Sequence, residues 1–569
     1  MGEIGVGELL MQCLRAEDVE MMFGIIDGAH IPFVVHGPRY GIRHINCRHE
    51  EAAAHVAEGY ARMTGIPSVV IGSPGPGGAN MLAGLTSAQA EGHPVLGIAC
   101  TRRRLTGDPD RGGAWQATNL AEMARPITKY SAVVRQPERL PEMMRAAFRA
   151  MMTGRPGPAF LAIPDELLLQ KIDPARAPVY PAARYRVTSM GAGDPAWIEQ
   201  AADWLAAAER PYLHAGKGVL WAKAAPEFME LANHLAAGLS TSMGARGVVP
   251  EDHPHYFHIF DMQAAGLARN EADVVLVAGA RLGEYDGWGM PPLWGDPARQ
   301  KTIQIDGDPA VIGVNRPVDL GIVADAKASL AALAAAVKAR TGPRPAMPGL
   351  ERYQQLSAQT RAASTGYLQA GGTGVNPGQM VLAVRRFFPP DAVTVLDGGN
   401  TTLWGVAYNP IFRPDSFLYS VKLGYLGTGL PFAIGAKLAA PERPVYLITG
   451  DGALGFNIME LETALRENVQ VIVIAAVDDG WAMEHSAYNY GGLPPAMHVG
   501  VDLSRNTCYD VISQGMGCYG ERVEKIEQLV PALERAVASG RPALLHVVVD
   551  PAINVDPPGF KEFRQIRTL

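Results

Sequence analysis

Short apolar segments alternate with longer amphipathic segments along almost the whole chain, and this alternation is the strongest constraint on the fold. The strand-like runs include SVVIGS at 68–73, VLGIAC at 95–100, VVLVAGA at 274–280, VYLITGDG at 445–452 and VIVIAAVDDG at 471–480. Such runs, separated by helical segments, are typical of parallel sheets covered by helices. Each run ends in Gly, Asp or small residues, so binding loops are expected at the carboxyl ends of the strands.

The length of the chain predicts several domains. With 569 residues, it is too long to fold around one hydrophobic core. Two polar segments rich in Pro and Ala, at 173–195 and about 341–374, predict linkers. They divide the chain into three α/β units, which we place at residues 1–175, 190–342 and 374–569. Each unit has the size of a single domain.

Composition and charge exclude several classes of protein. The net charge is −7 with acidic and basic residues interspersed, which predicts no nucleic-acid partner. No apolar stretch approaches the ~18 residues of a membrane span, and the amino terminus lacks the features of a signal peptide. The five scattered cysteines have no zinc-ligand spacing and indicate reduced thiols. We therefore expect a cytoplasmic protein that binds small molecules and no membrane.

The most specific motif is GDGALGF at 450–456, followed by VDDGW at 477–481. Asp451 ends one predicted strand, and Asp478, 27 positions later, ends the next. Neighbouring parallel strands bring such ends together, as the oxygen ligands of Mg²⁺ require. A cation held there would neutralise a diphosphate. Gly452 and Ala453, at the start of the intervening helix, are candidate contacts to its phosphates.

A second motif lies near the amino terminus, where RHE at 48–50 is followed by AEGYAR at 57–62. Together with the first motif, this segment resembles thiamine diphosphate-dependent enzymes of the acetolactate synthase-like family. That group includes oxalyl-CoA decarboxylase, 2-hydroxyacyl-CoA lyase and benzaldehyde lyase. The resemblance covers essentially the whole chain. It implies an α/β fold with three doubly wound parallel-sheet domains, in the order pyrimidine-binding, middle (nucleotide-binding-like) and diphosphate-binding.

The resemblance assigns roles to the residues of both motifs, with thiamine diphosphate and Mg²⁺ as cofactors. Glu50 matches the catalytic Glu that hydrogen-bonds to the aminopyrimidine ring and activates the cofactor, and its neighbour Glu51 is the less favoured candidate. Asp451 and Asp478 match the side-chain metal ligands, and Gly480 matches the residue that offers its carbonyl. The family usually has Asn where Asp478 stands. A carboxylate is still a good Mg²⁺ ligand, so the difference does not predict inactivation.

Further positions match the family's cofactor contacts. Gly424 matches the residue whose carbonyl accepts from the pyrimidine amino group. Leu426 matches the apolar wedge that keeps the two cofactor rings in a V shape. Asn400 is the candidate contact to the diphosphate in the DGGN segment, and Met483 matches a residue that packs beside the thiazolium.

Two segments are expected to face the substrate. Trp115 and Gln116 resemble the Phe-Gln pair of acetolactate synthases, with Gln116 as the catalytic candidate. Glu484 matches an acidic proton-transfer residue of some decarboxylases in the superfamily. Acetolactate synthases have an apolar residue at that position and a substrate-selecting Trp where this chain has Ala487.

The middle unit carries weaker signals. Its candidate nucleotide contacts are Arg281 for a phosphate, and Asp306 and Asp325 for a ribose or adenine. The region resembles the middle domain of oxalyl-CoA decarboxylase and 2-hydroxyacyl-CoA lyase, which can hold ADP or coenzyme A. In acetolactate synthases the same domain holds FAD. A scaffold domain without a ligand is an equal alternative.

The leading functional hypothesis is a thiamine diphosphate- and Mg²⁺-dependent carbon–carbon lyase or carboligase that decarboxylates a 2-oxo acid and forms an acyloin. The alternative is an enzyme like 2-hydroxyacyl-CoA lyase or oxalyl-CoA decarboxylase, with an acyl-CoA or aldehyde as a substrate. A cofactor-binding paralogue without catalytic activity is a second alternative. In this family the two motifs meet across a subunit interface, so the resemblance implies a homodimer or homotetramer.

Overall fold

Three parallel sheets organise the chain in a computed structural model, which describes residues 2–107, 111–258, 260–561 and 564. Every strand pair within these three sheets is parallel, with helices packed against them. The predicted fold class is therefore confirmed. Within the described residues, no helix has the length and hydropathy required to cross a bilayer.

The first sheet lies in the amino-terminal unit. The strands of this unit are β1 (Ile4–Gly5), β2 (Met21–Gly24), β3 (Arg43–Asn46), β4 (Ser68–Gly72), β5 (Val95–Thr101), β6 (Tyr130–Val133), β7 (Ala159–Pro164) and β8 (Lys171–Ile172). Its helices are α1 (Val6–Arg15), α2 (Ile31–Val34), α3 (Glu50–Thr64), α4 (Pro76–Glu91), α5 (Arg104–Gly107), α6 (Leu120–Ala124), α7 (Leu140–Met152) and α8 (Asp165–Leu168). The sheet order is β3-β2-β4-β5-β7-β6, and β1 and β8 form a separate antiparallel pair.

The apolar strands of this sheet are buried on both faces. In β4, Val70 enters a core on one face, whereas Val69 and Ile71 enter a second core on the other. A strand covered on both faces needs apolar residues at successive positions, which explains the continuous run in the sequence.

The middle unit contains a five-stranded sheet in the order β10-β9-β11-β12-β13. Its strands are β9 (Pro211–Ala215), β10 (Gly238–Thr241), β11 (Val274–Ala278), β12 (Lys301–Asp306) and β13 (Leu320–Val323). Its helices are α9 (Pro195–Ala207), α10 (Lys217–Trp221), α11 (Ala225–Leu235), α12 (Met262–Glu271) and α13 (Ala326–Arg340). The second predicted linker is not wholly irregular, because it contains the 19-residue helix α14 (Leu350–Leu368).

The carboxy-terminal unit contains a six-stranded sheet in the order β15-β14-β16-β17-β19-β18. Its strands are β14 (Val393–Leu396), β15 (Phe417–Leu418), β16 (Val445–Gly450), β17 (Ile472–Val477), β18 (Tyr519–Val523) and β19 (Ala543–Val548). Its helices are α15 (Pro377–Phe387), α16 (Asn400–Tyr408), α17 (Gly429–Ala439), α18 (Asp451–Asn457), α19 (Glu460–Arg466), α20 (Ala482–Tyr490), α21 (Tyr509–Gly515), α22 (Ile526–Ala538) and α23 (Pro551–Asn554).

The first and third units share one hydrophobic core, in which α3 packs directly on α17. Two glycines allow this contact. A Cβ on Gly59 would lie 2.9 Å from the carbonyl oxygen of Phe432, and a Cβ on Gly435 would lie 2.3 Å from that of Val56. Neither helix has room for a side chain at these points, so the two backbones are in van der Waals contact.

Charged side chains are buried beside this contact. His55 is fully buried, 3.1 Å from Glu51 and 3.4 Å from Glu58, and His93 lies 2.8 Å from the other oxygen of Glu58. Burial by itself would lower the pKa of His55, but hydrogen bonds to the two carboxylates raise it to about 9. Burial and the charge of Lys217 lower the pKa of His93 to about 4. His55 is therefore the cation that compensates the two buried carboxylates.

We expect His55→Gln to destabilise the protein, because it leaves Glu51 and Glu58 buried without their cation. Breaking a buried ion pair costs on the order of 3 kcal/mol. The raised pKa of His55 gives a stabilisation that is complete below pH 6.5 and is lost as the pH rises through about 9. The difference in thermal unfolding midpoint between wild type and variant should therefore shrink from pH 6 to pH 9. His36→Gln is the control, because His36 has no ion pair within the described part of the chain. A difference that is constant over this pH range would contradict the assignment.

Candidate active site

Glu50 is the first residue of α3 and is only 6% exposed. Its Oε2 accepts a hydrogen bond from Asn80 Nδ2 at 3.1 Å, and no described residue hydrogen-bonds to Oε1. The carboxylate lies against the start of α4, where a Cβ on Gly77 would be 2.8 Å from Oε1. Glu50 thus has one carboxylate oxygen that no described residue has engaged.

Gln116 lies on the other side of the same turn. A Cβ on Gly75 would be 2.9 Å from the carbonyl oxygen of Gln116, so the turn from Gly75 to Gly77 is in contact with both Gln116 and Glu50. Gln116 has a positive φ of 58°, and its Oε1 accepts a hydrogen bond from the Arg102 guanidinium. The structure therefore brings together these two residues predicted from the sequence. The neighbouring indole of Trp115 is 77% exposed.

Side chains of the carboxy-terminal unit hold the segment that carries Glu50. The Glu460 carboxylate accepts hydrogen bonds from the backbone N–H groups of Arg48 (2.9 Å) and His49 (3.2 Å). Asn457 Nδ2 lies 3.3 Å from Glu51 Oε2. Burial raises the pKa of Glu460 to about 7. Sequence reasoning missed both Glu460 and Asn457, whose only signal is that they follow the GDG motif closely.

The two predicted metal-binding carboxylates lie at the ends of neighbouring parallel strands, β16 and β17. Asp451 is 2% exposed and accepts hydrogen bonds from the backbone N–H groups of Gly452 and Asp479, both at 2.9 Å. Asp478 Oδ2 accepts a hydrogen bond from Asn554 Nδ2 at 2.9 Å. Asn554 is a further residue that sequence reasoning missed.

The charges at this edge favour a cation. Burial and the charge of Asp478 raise the pKa of Asp451 to about 7, and burial also raises the pKa of Asp478. In the described part of the chain, no three His, Cys, Asp or Glu side chains are grouped so that they could hold a metal ion. A cation here needs other oxygen ligands in addition. The donor set, two carboxylates and backbone carbonyls such as that of Gly480, fits a hard cation such as Mg²⁺.

Asn400, at the start of α16, is placed differently from the prediction in one respect. Its Nδ2 donates to Ser486 Oγ (2.7 Å) and to the carbonyl oxygen of Asn554 (2.9 Å), while its Oδ1 is buried without a partner among the described residues. The side chain therefore has no donor left for a phosphate. The backbone N–H groups at the start of α16 can still serve that purpose. Met483 packs close by, since a Cβ on Gly399 would be 2.6 Å from its Cβ.

The loop before α17 carries Gly424, which has a φ of +62°, and the half-buried Leu426. Asp397, which sequence reasoning did not single out, anchors this loop to the end of β14. Its carboxylate accepts hydrogen bonds from the backbone N–H groups of Gly398 (2.7 Å) and Gly429 (2.8 Å). Burial raises the pKa of Asp397 to about 6. The signal in the sequence was its position directly before the GGN segment.

The remaining cofactor and catalytic candidates lie on α18 and α20. Gly452 packs against Trp481, whose ring atoms would be 2.8 Å from a Cβ at position 452, and Ala453 is buried on the same helix. Glu484 is exposed on α20, and its side chain has no hydrogen bond or ion pair with any described residue. Its proposed role in proton transfer stays a prediction.

The nucleotide candidates of the middle unit divide into two groups. Arg281 follows β11, and Asp306 is the last residue of the neighbouring strand β12. Burial raises the pKa of Asp306 to about 6, and its carboxylate accepts a hydrogen bond from the Asp308 N–H. Asp325 instead caps α13, where its Oδ1 accepts a hydrogen bond from the Ala328 N–H at 2.8 Å. The helix therefore already uses the side chain of Asp325.

We expect Gly77→Ala to disturb Glu50. The new Cβ would lie 2.4 Å from Ser73 Oγ and 2.8 Å from Glu50 Oε1, so one of these side chains must move. Overpacking of this kind costs about 1–3 kcal/mol. Chemical denaturation should show the loss of stability, and calorimetry should show weaker binding of thiamine diphosphate.

Gly366→Ala is the matched control for this change. Gly366 is also helical, but a Cβ there meets nothing within 4 Å. Replacing an exposed helical Gly with Ala should stabilise the protein by up to about 1 kcal/mol. Equal effects of the two substitutions would contradict the close contact between Gly77 and Glu50.

Comparisons with known proteins agree with this arrangement of three units. The families described as the N-terminal TPP binding domain, the central domain and the C-terminal TPP binding domain of thiamine pyrophosphate enzymes match residues 4–121, 198–333 and 397–547. The chain is 31% identical to a probable acetolactate synthase large subunit of Methanocaldococcus jannaschii, over 97% of this chain and 93% of that protein.

Two bacterial relatives are similar over almost their whole length. The acetolactate synthase isozyme 2 large subunit of Escherichia coli is 29% identical, over 98% of this chain and 99% of that protein. The acetolactate synthase large subunit IlvG of Mycobacterium tuberculosis is 30% identical, over 96% of both chains. The chain therefore belongs to the thiamine diphosphate-dependent enzymes of the acetolactate synthase-like family.

Proposed function

We propose that this enzyme is a thiamine diphosphate- and Mg²⁺-dependent carboligase that acts on a 2-oxo acid. It would release carbon dioxide from the 2-oxo acid and join the remaining acyl unit to a second carbonyl compound. The full-length similarity to acetolactate synthase large subunits supports this choice of reaction. The observation that carries it is the contact of Glu50 and Gln116 with one glycine turn, which places an available carboxylate beside an amide.

The residues that would hold the cofactors lie at the carboxyl ends of the third sheet. Asp451, Asp478 and the carbonyl of Gly480 would bind Mg²⁺, and the starts of α16 and α18 would offer N–H groups to the diphosphate. The loop with Gly424 and Leu426 would hold the pyrimidine and thiazolium rings. When bound, thiamine diphosphate supplies an electron sink for the bond beside a carbonyl group.

Glu50 and Gln116 have distinct tasks in this proposal. The free Oε1 of Glu50 would hydrogen-bond to the aminopyrimidine ring and hold the proton that the ring must gain or lose. The Oε1 of Gln116 is occupied by Arg102, so its NH₂ group remains available to donate to a substrate oxygen. Glu51 cannot replace Glu50, because its two oxygens are bound to His55 and Asn457.

The test is product analysis with pyruvate, thiamine diphosphate and Mg²⁺. Wild type should form carbon dioxide and acetolactate, detected by mass spectrometry. Glu50→Gln should keep its affinity for thiamine diphosphate but lose turnover by at least ~10²-fold, the usual contribution of a positioned acid–base group. Glu51→Gln, the matched control, should lower thermal stability with a much smaller effect on turnover. If the Glu50→Gln variant turns over as fast as wild type, another residue must activate the aminopyrimidine ring.

A second candidate function has support in the charges where the three units meet. Arg155, Lys217, Arg281 and Lys422 come from all three units, and burial together with the charge of Arg281 lowers the pKa of Arg155 to about 10. Burial and the charges of Arg281 and Arg155 also lower the pKa of Lys422. Lys217 is ion-paired with Glu91 at 2.8 Å, and Arg155 donates to the carbonyl oxygens of Gln89 and Ala90. The cations that a bound phosphate would stabilise are therefore Arg281 and Lys422. We propose that they bind the phosphates of FAD, ADP or coenzyme A, with Asp306 nearby.

The product assay distinguishes these functions. Cleavage of a 2-hydroxyacyl-CoA to an aldehyde, or decarboxylation of oxalyl-CoA, would support the acyl-CoA function. Activity on 2-oxo acids alone would support the first. If wild-type protein binds the cofactor but forms no product from any of these substrates, the result would support the third hypothesis, a paralogue without catalytic activity.

We further propose that Glu484 transfers a proton to or from the substrate. Glu484→Gln should leave the affinity for thiamine diphosphate unchanged and slow turnover by ~10-fold or more. Single-turnover kinetics would show which step is slowed. The control Glu442→Gln removes an exposed carboxylate that precedes the amino end of β16, opposite the carboxyl end that carries the motif, and should change neither quantity. Unchanged turnover of Glu484→Gln on every substrate would make Glu484 a solvated helix residue.

The active form is proposed to be a homodimer or homotetramer in the cytoplasm. Large apolar side chains are exposed at α2 and at the GDG motif, and a second copy could cover them. These include Ile31 (53% exposed) and Val35 (61%) near α2, and Phe456 (55%) and Met459 (47%) near α18. The five unpaired cysteines favour a reducing compartment.

A further inference from the structure

Asn554, the last residue of α23, contacts both halves of the candidate cofactor site. Its Nδ2 donates to Asp478 Oδ2 at 2.9 Å, and its carbonyl oxygen accepts from Asn400 Nδ2 at 2.9 Å. Asn554 is 2% exposed, and its Oδ1 is buried with no hydrogen bond to any residue that the structure describes. One residue near the end of the chain thus links the candidate metal ligand with the start of α16.

The orientation of the Asn554 amide follows from its neighbour. A carboxylate can only accept hydrogen bonds, so the amide nitrogen, not the oxygen, must face Asp478. The opposite orientation would place two acceptors against each other. The observed orientation leaves Oδ1 unpaired in a buried position, which costs free energy. The hydrogen bond to Asp478 must compensate for this cost.

The short helix that carries Asn554 is anchored independently of the candidate metal site. Asp550 caps α23 by accepting hydrogen bonds from the N–H groups of Ala552 (2.9 Å) and Ile553 (3.1 Å). It also accepts a hydrogen bond from the Thr373 N–H at 2.6 Å. The side chain of Asn554 is therefore presented to Asp478 by a backbone that does not depend on a cation.

We propose that Asn554 is a positioning residue that allows this chain to use Asp478 where the resembling family has Asn. An Asn ligand offers one oxygen to the cation, and its NH₂ group needs an acceptor. An Asp ligand has a second oxygen instead, which needs a donor when it is buried. Asn554 supplies that donor and leaves Oδ1 of Asp478 for the cation. This inference rests on the proposed Mg²⁺ site at Asp451 and Asp478.

The test is a double-mutant cycle on the full-length protein, with Mg²⁺ affinity measured by calorimetry in the presence of thiamine diphosphate. Asn554→Leu removes the donor at similar volume and should weaken Mg²⁺ binding by ~10-fold or more, as for other partners of metal ligands. In the Asp478→Asn background the amide of Asn554 can turn and accept from the new NH₂ group, but this hydrogen bond is not charge-assisted, so the same change should cost less, at most ~3-fold. Asn554→Ala is the substitute should Asn554→Leu fail to fold, as judged by circular dichroism.

The exchange Asp478→Asn with Asn554→Asp gives the sharpest result. The double variant keeps the net charge of the site and reverses donor and acceptor in the same hydrogen bond. Its Mg²⁺ affinity should return to within ~3-fold of wild type. If Asn554→Leu costs the same in both backgrounds, Asn554 has a merely structural role and the proposal is overturned. An exchange variant whose Mg²⁺ affinity is no higher than that of Asn554→Leu alone overturns it as well.

Asp451→Ala separates this proposal from the proposed function. This substitution should abolish the cofactor binding that requires Mg²⁺. If the wild-type protein binds thiamine diphosphate without Mg²⁺, and Asp451→Ala does not change this affinity, the metal site and this inference are overturned together. Loss of binding in Asp451→Ala, but wild-type affinity in Asn554→Leu, would overturn only the role of Asn554.

Discussion

The direct contact between the backbones of α3 and α17 is the constraint on which the rest of the structure depends. Gly59 and Gly435 remove the side chains that would otherwise separate the two helices. Because the backbones touch, neither helix can slide or rotate without a clash. The segments at the starts of these helices are thereby fixed as well: Glu50 begins α3, and the loop with Gly424 precedes α17. Two units that each supply part of the candidate site share one core and have one fixed geometry.

The polar groups beside this contact determine which of two adjacent carboxylates is available. The Glu51 carboxylate is hydrogen-bonded to His55 and Asn457, whereas Asn80 is the only hydrogen-bond partner of the Glu50 carboxylate among the described residues. Buried charges stabilise little in themselves, because desolvation offsets their attraction. The effect of the buried Glu51 and its partners is instead to fix the position of the start of α3. Glu51 is engaged inside the shared core and thereby anchors the start of α3. The carboxylate of Glu50 lies against the glycine turn that also contacts Gln116.

The fold, the family and the two motifs could be predicted from the sequence, because each of them depends on local patterns of residues. Strand ends at Asp451 and Asp478 could be paired because parallel neighbours align their carboxyl ends, and the family is confirmed by full-length relatives. Glu460 could not be predicted, because its contacts join segments 412 and 411 positions apart and leave no periodic signal. Asn400 was found from the sequence, but its partners were not: its side-chain N–H groups donate to Ser486 and to the carbonyl oxygen of Asn554, 86 and 154 positions away. The match of Glu484 to a family position likewise did not predict that its side chain is exposed.

A departure from a family pattern has a physical meaning only together with its neighbours. Taken alone, Asp478 adds negative charge beside a site for an anionic cofactor, which argues against tight binding. Taken with Asn554, the same residue has one oxygen satisfied by an amide and one free for a cation. The carbonyl of Asn554 also orients Asn400, so the metal side and the phosphate side of the site meet at the end of α23. The short helix α23, outside both motifs, therefore determines whether a carboxylate at position 478 is a defect or a ligand.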